Sequence, residues 1–244
     1  MTAAANNGSL VEQAIRRVRD HIHAHGLRVG DTLPGEGTFA QTLGVSRAVM
    51  REAFGAMAAL RLVDVGNGRK PRVGAIDGSV MAASINHAVA TDQVSTAQVW
   101  EVRRTLELRT AELAAECRRD ADAFDIVAQA EAMRRAGDTL AVMTHHDIAF
   151  HQGIARASGN ALFHQIVRSF EALMRVAVPT AWHTRETPDQ REAMLVLHRD
   201  LAQAIADRDP REARGLMDRH FDASITDLFA RAESQQARLA SRHL

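Results

Sequence analysis

The chain has one cysteine, no long apolar run and no net charge, and each shortage excludes something. A single thiol, Cys117, cannot close an internal disulfide. Its place in the helical run LRTAELAAECRR reads as a small packed thiol rather than a nucleophile. No apolar stretch approaches the roughly 20 residues needed to cross a bilayer, so a membrane partner is not expected. The opening MTAAANNGS has neither a basic start nor an apolar stretch of about 7 to 15 residues, so it does not read as a secretory signal, and a cytoplasmic location is expected. What remains, 46% hydrophobic and 25% charged over 244 residues, is a globular chain long enough for one large domain or two ordinary ones.

The zero net charge hides an asymmetry. Residues 1–74 carry ten Arg or Lys against six acids, a balance of +4, while the remainder carries 20 against 24, or −4. A basic head on an acidic body suits a polyanion-binding module joined to something else. In that head, Leu10, Val11, Ala14, Ile15, Val18 and Ile22 recur at three- and four-residue steps and predict an amphipathic helix ended by Gly26. LRVGDTLPG (27–35) reads as a loop. Two short helices follow, about 36–43 and 46–60, separated by Gly44, with the Ser46 hydroxyl as N-cap of the second. LVDV (62–65) and PRVG (71–74) are β-prone pieces joined by GNGRK, which has the turn chemistry of a wing tip.

In GVSRAVMREAF, Arg47 and Arg51 stand four apart and share a helix face near its N-terminus. Such a face suits a major groove, where an arginine fork pairs with guanine O6 and N7 while Ser46 and the first helical N–H groups take phosphate. Two arginines on a helix are ordinary surface when nothing surrounds them. Here the context is long: Leu10 to Val73, through GLRVGDTLPGEGTFAQTLGVSRAVMREA and then LV, GNG and V, resembles the winged-helix domain of the GntR family of bacterial regulators. The resemblance implies DNA contacts by Ser46, Arg47 and Arg51, a wing tip at Gly68 lying in the minor groove, and phosphate contacts by Arg69 and Lys70. Two residues depart from the pattern. Gly37 stands where members carry arginine or glutamate, which removes one DNA contact. Arg61 stands where glycine is usual, a position of positive φ that costs any other residue, so an altered helix end is expected there.

Beyond Ser79 the chain shows only helical periods, roughly 79–90, 95–118, 122–136, 139–157, 160–178, 187–208 and 210–231, with breaks at Gly137-Asp138, Ser158-Gly159-Asn160, Thr187-Pro188 and Asp209-Pro210. Asp147 and His151 are four apart in THHDIAFHQGIARASGN, a spacing that can chelate one ion, although such pairs more often hydrogen-bond or face solvent. Their apolar neighbours, and those of His198 and His220 on later helices, point all four inward, and buried imidazoles need partners. EVRRTLELRTAELAA, DIAFHQGIARASGN, LHRDLAQAIADRD and DRHF, together spanning roughly 95–221, resemble in order the FCD ligand-binding bundle of the FadR-like GntR subgroup. That resemblance implies metal ligands at Asp147, His151, His198 and His220. Three imidazoles and a carboxylate suit a divalent transition metal, with Zn(II) the first choice and Ni(II) or Mn(II) alternatives. It also implies that Arg103 clamps an effector carboxylate, the alternative being a structural salt bridge to Glu107. Asn160, Arg175 and Trp182 are further pocket candidates that serve equally well as a helix cap, a surface charge and a packed indole.

The expected architecture is mainly α: a winged helix-turn-helix with a short β wing over 1–76, an all-α antiparallel bundle that binds metal and effector over 77–233, and a tail over 234–244. The expected function is a non-enzymatic regulator, a homodimer and by family habit a repressor, whose affinity for double-stranded operator DNA responds to a small organic acid. A metal-dependent hydrolase fused to a DNA-binding module is the alternative, disfavoured because neither metal-bearing helix shows H-E-x-x-H or another general base beside the ligands. A third reading makes the metal structural and the ligand hydrophobic, as in acyl-CoA-binding relatives.

Overall fold

A computed structural model of the chain describes residues 8–66, 68–137 and 139–224. The predicted turn residues Asn67 and Asp138, the end of the last predicted helix and the 234–244 tail lie outside the described residues. The chain divides into two compact units, Met1–Val80 and Met81–Leu244.

The first unit opens on α1 (Leu10–Ala24), whose N-terminus is closed by a capping box: Glu12 N–H donates to Ser9 Oγ at 3.2 Å and Ser9 N–H to Glu12 Oε2 at 2.8 Å. α2 (Glu36–Leu43) ends on Gly44 in the left-handed conformation, φ +66°, and α3 (Arg47–Ala59) begins at once with Ser46 as N-cap. The three helices bury Ala14, Val18, Phe39, Ala40, Met50, Ala53, Phe54 and Met57 in one core with Leu33 and Val63. β1 (Val63–Asp64) and β2 (Arg72–Val73) pair antiparallel, with Val63 opposite Val73. The 27–35 loop is more than a connection. Its backbone extends the wing through Gly30 N–H to Val73 O (2.9 Å), Val73 N–H to Asp31 O (2.9 Å) and Leu33 N–H to Pro71 O (2.7 Å). Proline and glycine hid that pairing because it needs only a few extended residues.

Arg61 does take positive φ, +58°, yet the helix end is regular, which corrects the expectation of an altered terminus. Leu62 N–H donates to Met57 O at 2.9 Å and Arg61 N–H to Ala58 O at 3.0 Å, the paired bonds of a Schellman motif. The cost of the missing glycine is therefore strain, not a change of path. Gly74 explains why the path cannot relax: a Cβ there would fall 2.1 Å from Arg61 O.

The second unit is all-helical: α4 (Ser79–Ala90), α5 (Thr96–Cys117), α6 (Asp120–Ala136), α7 (Leu140–Ala157), α8 (Ala161–Ser169), α9 (Glu171–Thr184), α10 (Pro188–Ala206) and α11, whose described part is 210–224. α7 is the central element, packing on α5, α6, α8 and α9. Phe150, Ile154, Ile126, Leu201, Ile205, Met217 and Phe221 are fully buried around it. The single helix predicted over 160–178 is two. α8 ends at Ser169, whose Oγ donates to Ile166 O at 2.6 Å, and after Phe170 α9 runs to Thr184 through Pro179. No glycine or proline marks that turn. Cys117 is the last residue of α5 and is exposed, not packed as expected, because the helix ends there.

Candidate functional site

In the first unit, Ser46 Oγ accepts from Val49 N–H at 3.2 Å, fixing the start of α3. Arg47 and Arg51 both project from its exposed face, Arg51 with a side chain 78% accessible and only a loose approach, 3.9 Å, to Glu36. An exposed pair at that distance contributes almost nothing to stability. Gly37 leaves room beside the reading face: a Cβ there would stand 3.9 Å from the Arg47 guanidinium. On the wing, Gly68 has φ +72°, a left-handed turn that glycine adopts without strain, and Arg69 and Lys70 beside it are exposed. The face is basic, accessible and anchored at both ends by backbone hydrogen bonds.

The second unit brings Asp147 and His151 of α7, His198 of α10 and His220 of α11 together in its interior, where their exposures are 8%, 4%, 3% and 6%. One nitrogen from each imidazole lies within 4.8 Å of the other two. Asp147 Oδ1 is 3.2 Å from His198 Nε2. The His198 tautomer is set from behind, because its Nδ1 donates to Met194 O at 2.9 Å. That leaves Nε2 as the nitrogen facing the carboxylate. Nε2 of His198 and Nδ1 of His220 are buried with no hydrogen-bond partner among the described residues. Such an arrangement is costly unless a cation lies among the atoms. Burial drives the His220 pKa well below its ordinary value, and the charges of His198, His151, Arg103 and Arg185 press it further down, so the ring stays neutral and able to ligate. Burial would raise the Asp147 pKa, but the contact with His198 and the nearby cationic groups outweigh it and the net shift is downward. The donor set is three imidazoles and a carboxylate, which can hold a divalent transition metal.

Behind His151 stands Glu107, 1% exposed, with Oε2 at 2.5 Å from His151 Nδ1 and Oε1 accepting from Arg103 Nε at 2.8 Å. Burial alone would raise the Glu107 pKa; Arg103 and His151 more than reverse it, and the carboxylate stays charged. Arg103 is the partner that holds this carboxylate. It makes the buried salt bridge, and it also lines the pocket above the histidines, its guanidinium carbon 4.8 Å from the Trp100 ring centroid and another nitrogen against Met174 Sδ.

Trp182 lines the same pocket. Asn160 and Arg175 do not. Asn160 is the N-cap of α8, its Oδ1 accepting from Leu162 N–H at 3.0 Å, and Arg175 is a surface residue paired with Glu171 at 2.7 Å. Both are exposed, which no periodicity in the chain reveals. Sequence reasoning missed Arg185, which lines the pocket at 5% exposure. It follows α9 directly, and with the helix expected to stop near 178 it looked like a loop residue. The spacing pairs Glu107 only with Arg103; its contact with His151 crosses from α5 to α7 and has no spacing signature.

The FCD domain family matches residues 98–223, and the family of bacterial regulatory proteins, gntR family, matches residues 10–73. The chain is 30% identical over 151 residues to the HTH-type transcriptional regulator LutR of Bacillus subtilis (strain 168), covering 61% of this chain and 68% of that one. It is 27% identical over 194 residues to the Glc operon transcriptional activator of Escherichia coli (strain K12), covering 77% and 76%. With the HTH-type transcriptional repressor NanR of Salmonella newport (strain SL254) it shares 25% over 221 residues, 88% and 83%. Among solved structures, Streptococcus agalactiae GntR superposes with a TM-score of 0.65 at 25% identity, covering 87% of this chain and 97% of that one. These relatives are transcription regulators, not enzymes. With its reading-helix unit and its helical body both matched, the chain belongs to the GntR family of bacterial transcription regulators and is a DNA-binding regulator whose second unit is an FCD domain.

Proposed function

We propose that this regulator is a cytoplasmic homodimer that represses its operator, and that a small carboxylate controls its DNA affinity from a metal site held by Asp147, His151, His198 and His220. The observation that carries the sensing half is the crowding of buried donor atoms: one nitrogen from each of His151, His198 and His220 lies within 4.8 Å of the other two, Asp147 Oδ1 is 3.2 Å from His198 Nε2, and His220 Nδ1 has no hydrogen-bond partner among the described residues. A divalent ion, Zn(II) or else Ni(II) or Mn(II), resolves it and supplies a Lewis-acidic seat for an effector carboxylate oxygen. Arg103, held rigid by Glu107, is positioned to take the other oxygen through a charge-assisted hydrogen bond.

For the DNA half, Arg47 and Arg51 read base edges, Ser46 and the α3 N-terminus take phosphate, and Gly68 lets the wing bring Arg69 to the backbone. A two-fold dimer reading a short palindrome is the geometry that suits such a helix. Repression follows the relative aligned over the larger share of this chain, a repressor over 88% against an activator over 77%. Effector control requires that the carboxylate bind one arrangement of the dimer better than another.

Arg51→Ala tests the assignment. A gel shift on the protein's own operator is expected to lose specific binding, while calorimetry shows carboxylate binding unchanged. A full-strength specific shift by this variant overturns the reading head. For the sensor, His198→Ala is expected to leave the purified protein without its bound ion; retention of a stoichiometric ion overturns the ligand set.

A further inference from the structure

We infer that the last turn of α1, in the DNA-binding unit, is a second metal site, where His21 and His25 bind one divalent transition ion and water fills its remaining positions. This site shares no residue with the buried histidines of the second unit and does not depend on them. Its first support is spacing. His21 and His25 lie four apart in the run DHIHAH, so both imidazoles leave one face of the helix, the arrangement by which helical histidine pairs hold Zn(II). In the fold the two rings do meet: their centroids are 4.0 Å apart and their planes 31° from parallel. His23, two residues from each, belongs by helical period to the opposite side.

Both rings are held in place before any ion arrives. Nδ1 of His25 is 2.9 Å from His21 O. A carbonyl oxygen only accepts, so Nδ1 is the donor and Nε2 is the nitrogen left for an ion. The partly buried His21 ring stands edge-on to Phe39 with centroids 5.1 Å apart, and Phe39 belongs to the core of the unit. That contact restricts the ring, so less side-chain freedom is lost on ligation. The carbonyls of the last helical turn add a partial negative charge that favours a cation. Two imidazoles suit Zn(II), Ni(II) or Cu(II), whereas Mg(II) takes oxygen ligands. A bound ion ties His25 to the body of α1 just before the chain enters the 27–35 loop, whose Gly30 N–H donates to Val73 O of the wing at 2.9 Å. Occupancy therefore stabilises the unit that carries the reading helix.

The test is calorimetric titration of the full-length protein, with the ions it already holds counted by elemental analysis. Zn(II) is expected to bind one further equivalent per chain, Cu(II) at least about tenfold more tightly, and Mg(II) not at all. His25→Gln keeps a donor for His21 O, and His21→Phe keeps a ring against Phe39. Each is expected to weaken the further equivalent at least about tenfold, while His23→Gln leaves it within about threefold. Melting curves without added ion show that the variants fold, and saturating Zn(II) is expected to raise the melting of the first unit in the unaltered protein but not in His25→Gln. A chain that takes up no further equivalent overturns the inference. So does a further equivalent that survives both substitutions, or one that Mg(II) replaces equally well. His198→Ala reports on the buried site separately: whether or not it removes an ion, the equivalent assigned to His21 and His25 is expected to remain, and its loss in that variant overturns the assignment.

Discussion

Glu107 is where stability and sensing meet, and replacing it by glutamine separates the two. The substitution keeps shape and hydrogen-bonding capacity but removes the charge that balances Arg103 at 2.8 Å, with side-chain exposures of 5% for Arg103 and 1% for Glu107. Removing one partner of a buried pair costs about 3 to 5 kcal/mol, because the other charge stays in the interior. For a unit of this size each kcal/mol lowers the melting temperature by roughly 2 to 4 °C, so the expected fall is about 6 to 20 °C. The same carboxylate lies 2.5 Å from His151 Nδ1, and loss of such an outer partner weakens metal binding by about 10- to 100-fold. Differential scanning calorimetry reads the first effect and competition with a chromophoric chelator the second. The double variant Arg103→Met, Glu107→Gln is expected to recover most of the stability, since the orphaned charge is gone, without recovering the metal affinity. A single variant that melts within about 2 °C of the unaltered protein, or a double variant no more stable than the single one, refutes the reasoning.

Other consequences are local. Arg61→Gly relieves a left-handed residue at φ +58° and gives up only the exposed contact with Asp77 at 3.4 Å; a gain of about 0.5 to 1 kcal/mol in chemical denaturation is expected, and a loss contradicts the strain. Gly74→Ala drives a Cβ into the Arg61 carbonyl and should cost about 3 kcal/mol or more, with the melting transition of the first unit reporting it. Asp122 is held at about 2, below its ordinary 3.8, chiefly by hydrogen bonds from Arg119. A lowered carboxyl pKa stabilises the fold above the unfolded value, so this contribution is complete above about pH 4 and lost as pH falls through about 2. The shift sets a ceiling of about 2.5 kcal/mol, and the Arg119 side chain is 77% exposed, so about 1 kcal/mol is expected. Asp122→Asn should therefore cost about 1 kcal/mol at pH 7, a small fraction of that at pH 2, and a cost that shrinks steadily below about pH 4, with urea midpoints across that range as the measure.

The chain itself determined the order of helices, the turn between α2 and α3, the wing, and the face that carries Arg47 and Arg51, because each is a local matter of period, cap and glycine placement. It also singled out Asp147 and His151, whose four-residue spacing is a property of one helix, and the positive φ at Arg61, which a family position foretold. Only the tertiary structure decided what surrounds them. It set Glu107 of α5 behind His151 of α7 and brought Arg185 into the pocket while leaving Asn160 and Arg175 outside it. The break at Phe170 was beyond local reading as well, since no glycine or proline marks it. The physical reason is the same throughout. Backbone preference acts over a few residues and is written in sequence order, whereas burial and charge compensation act between helices that packing alone brings together.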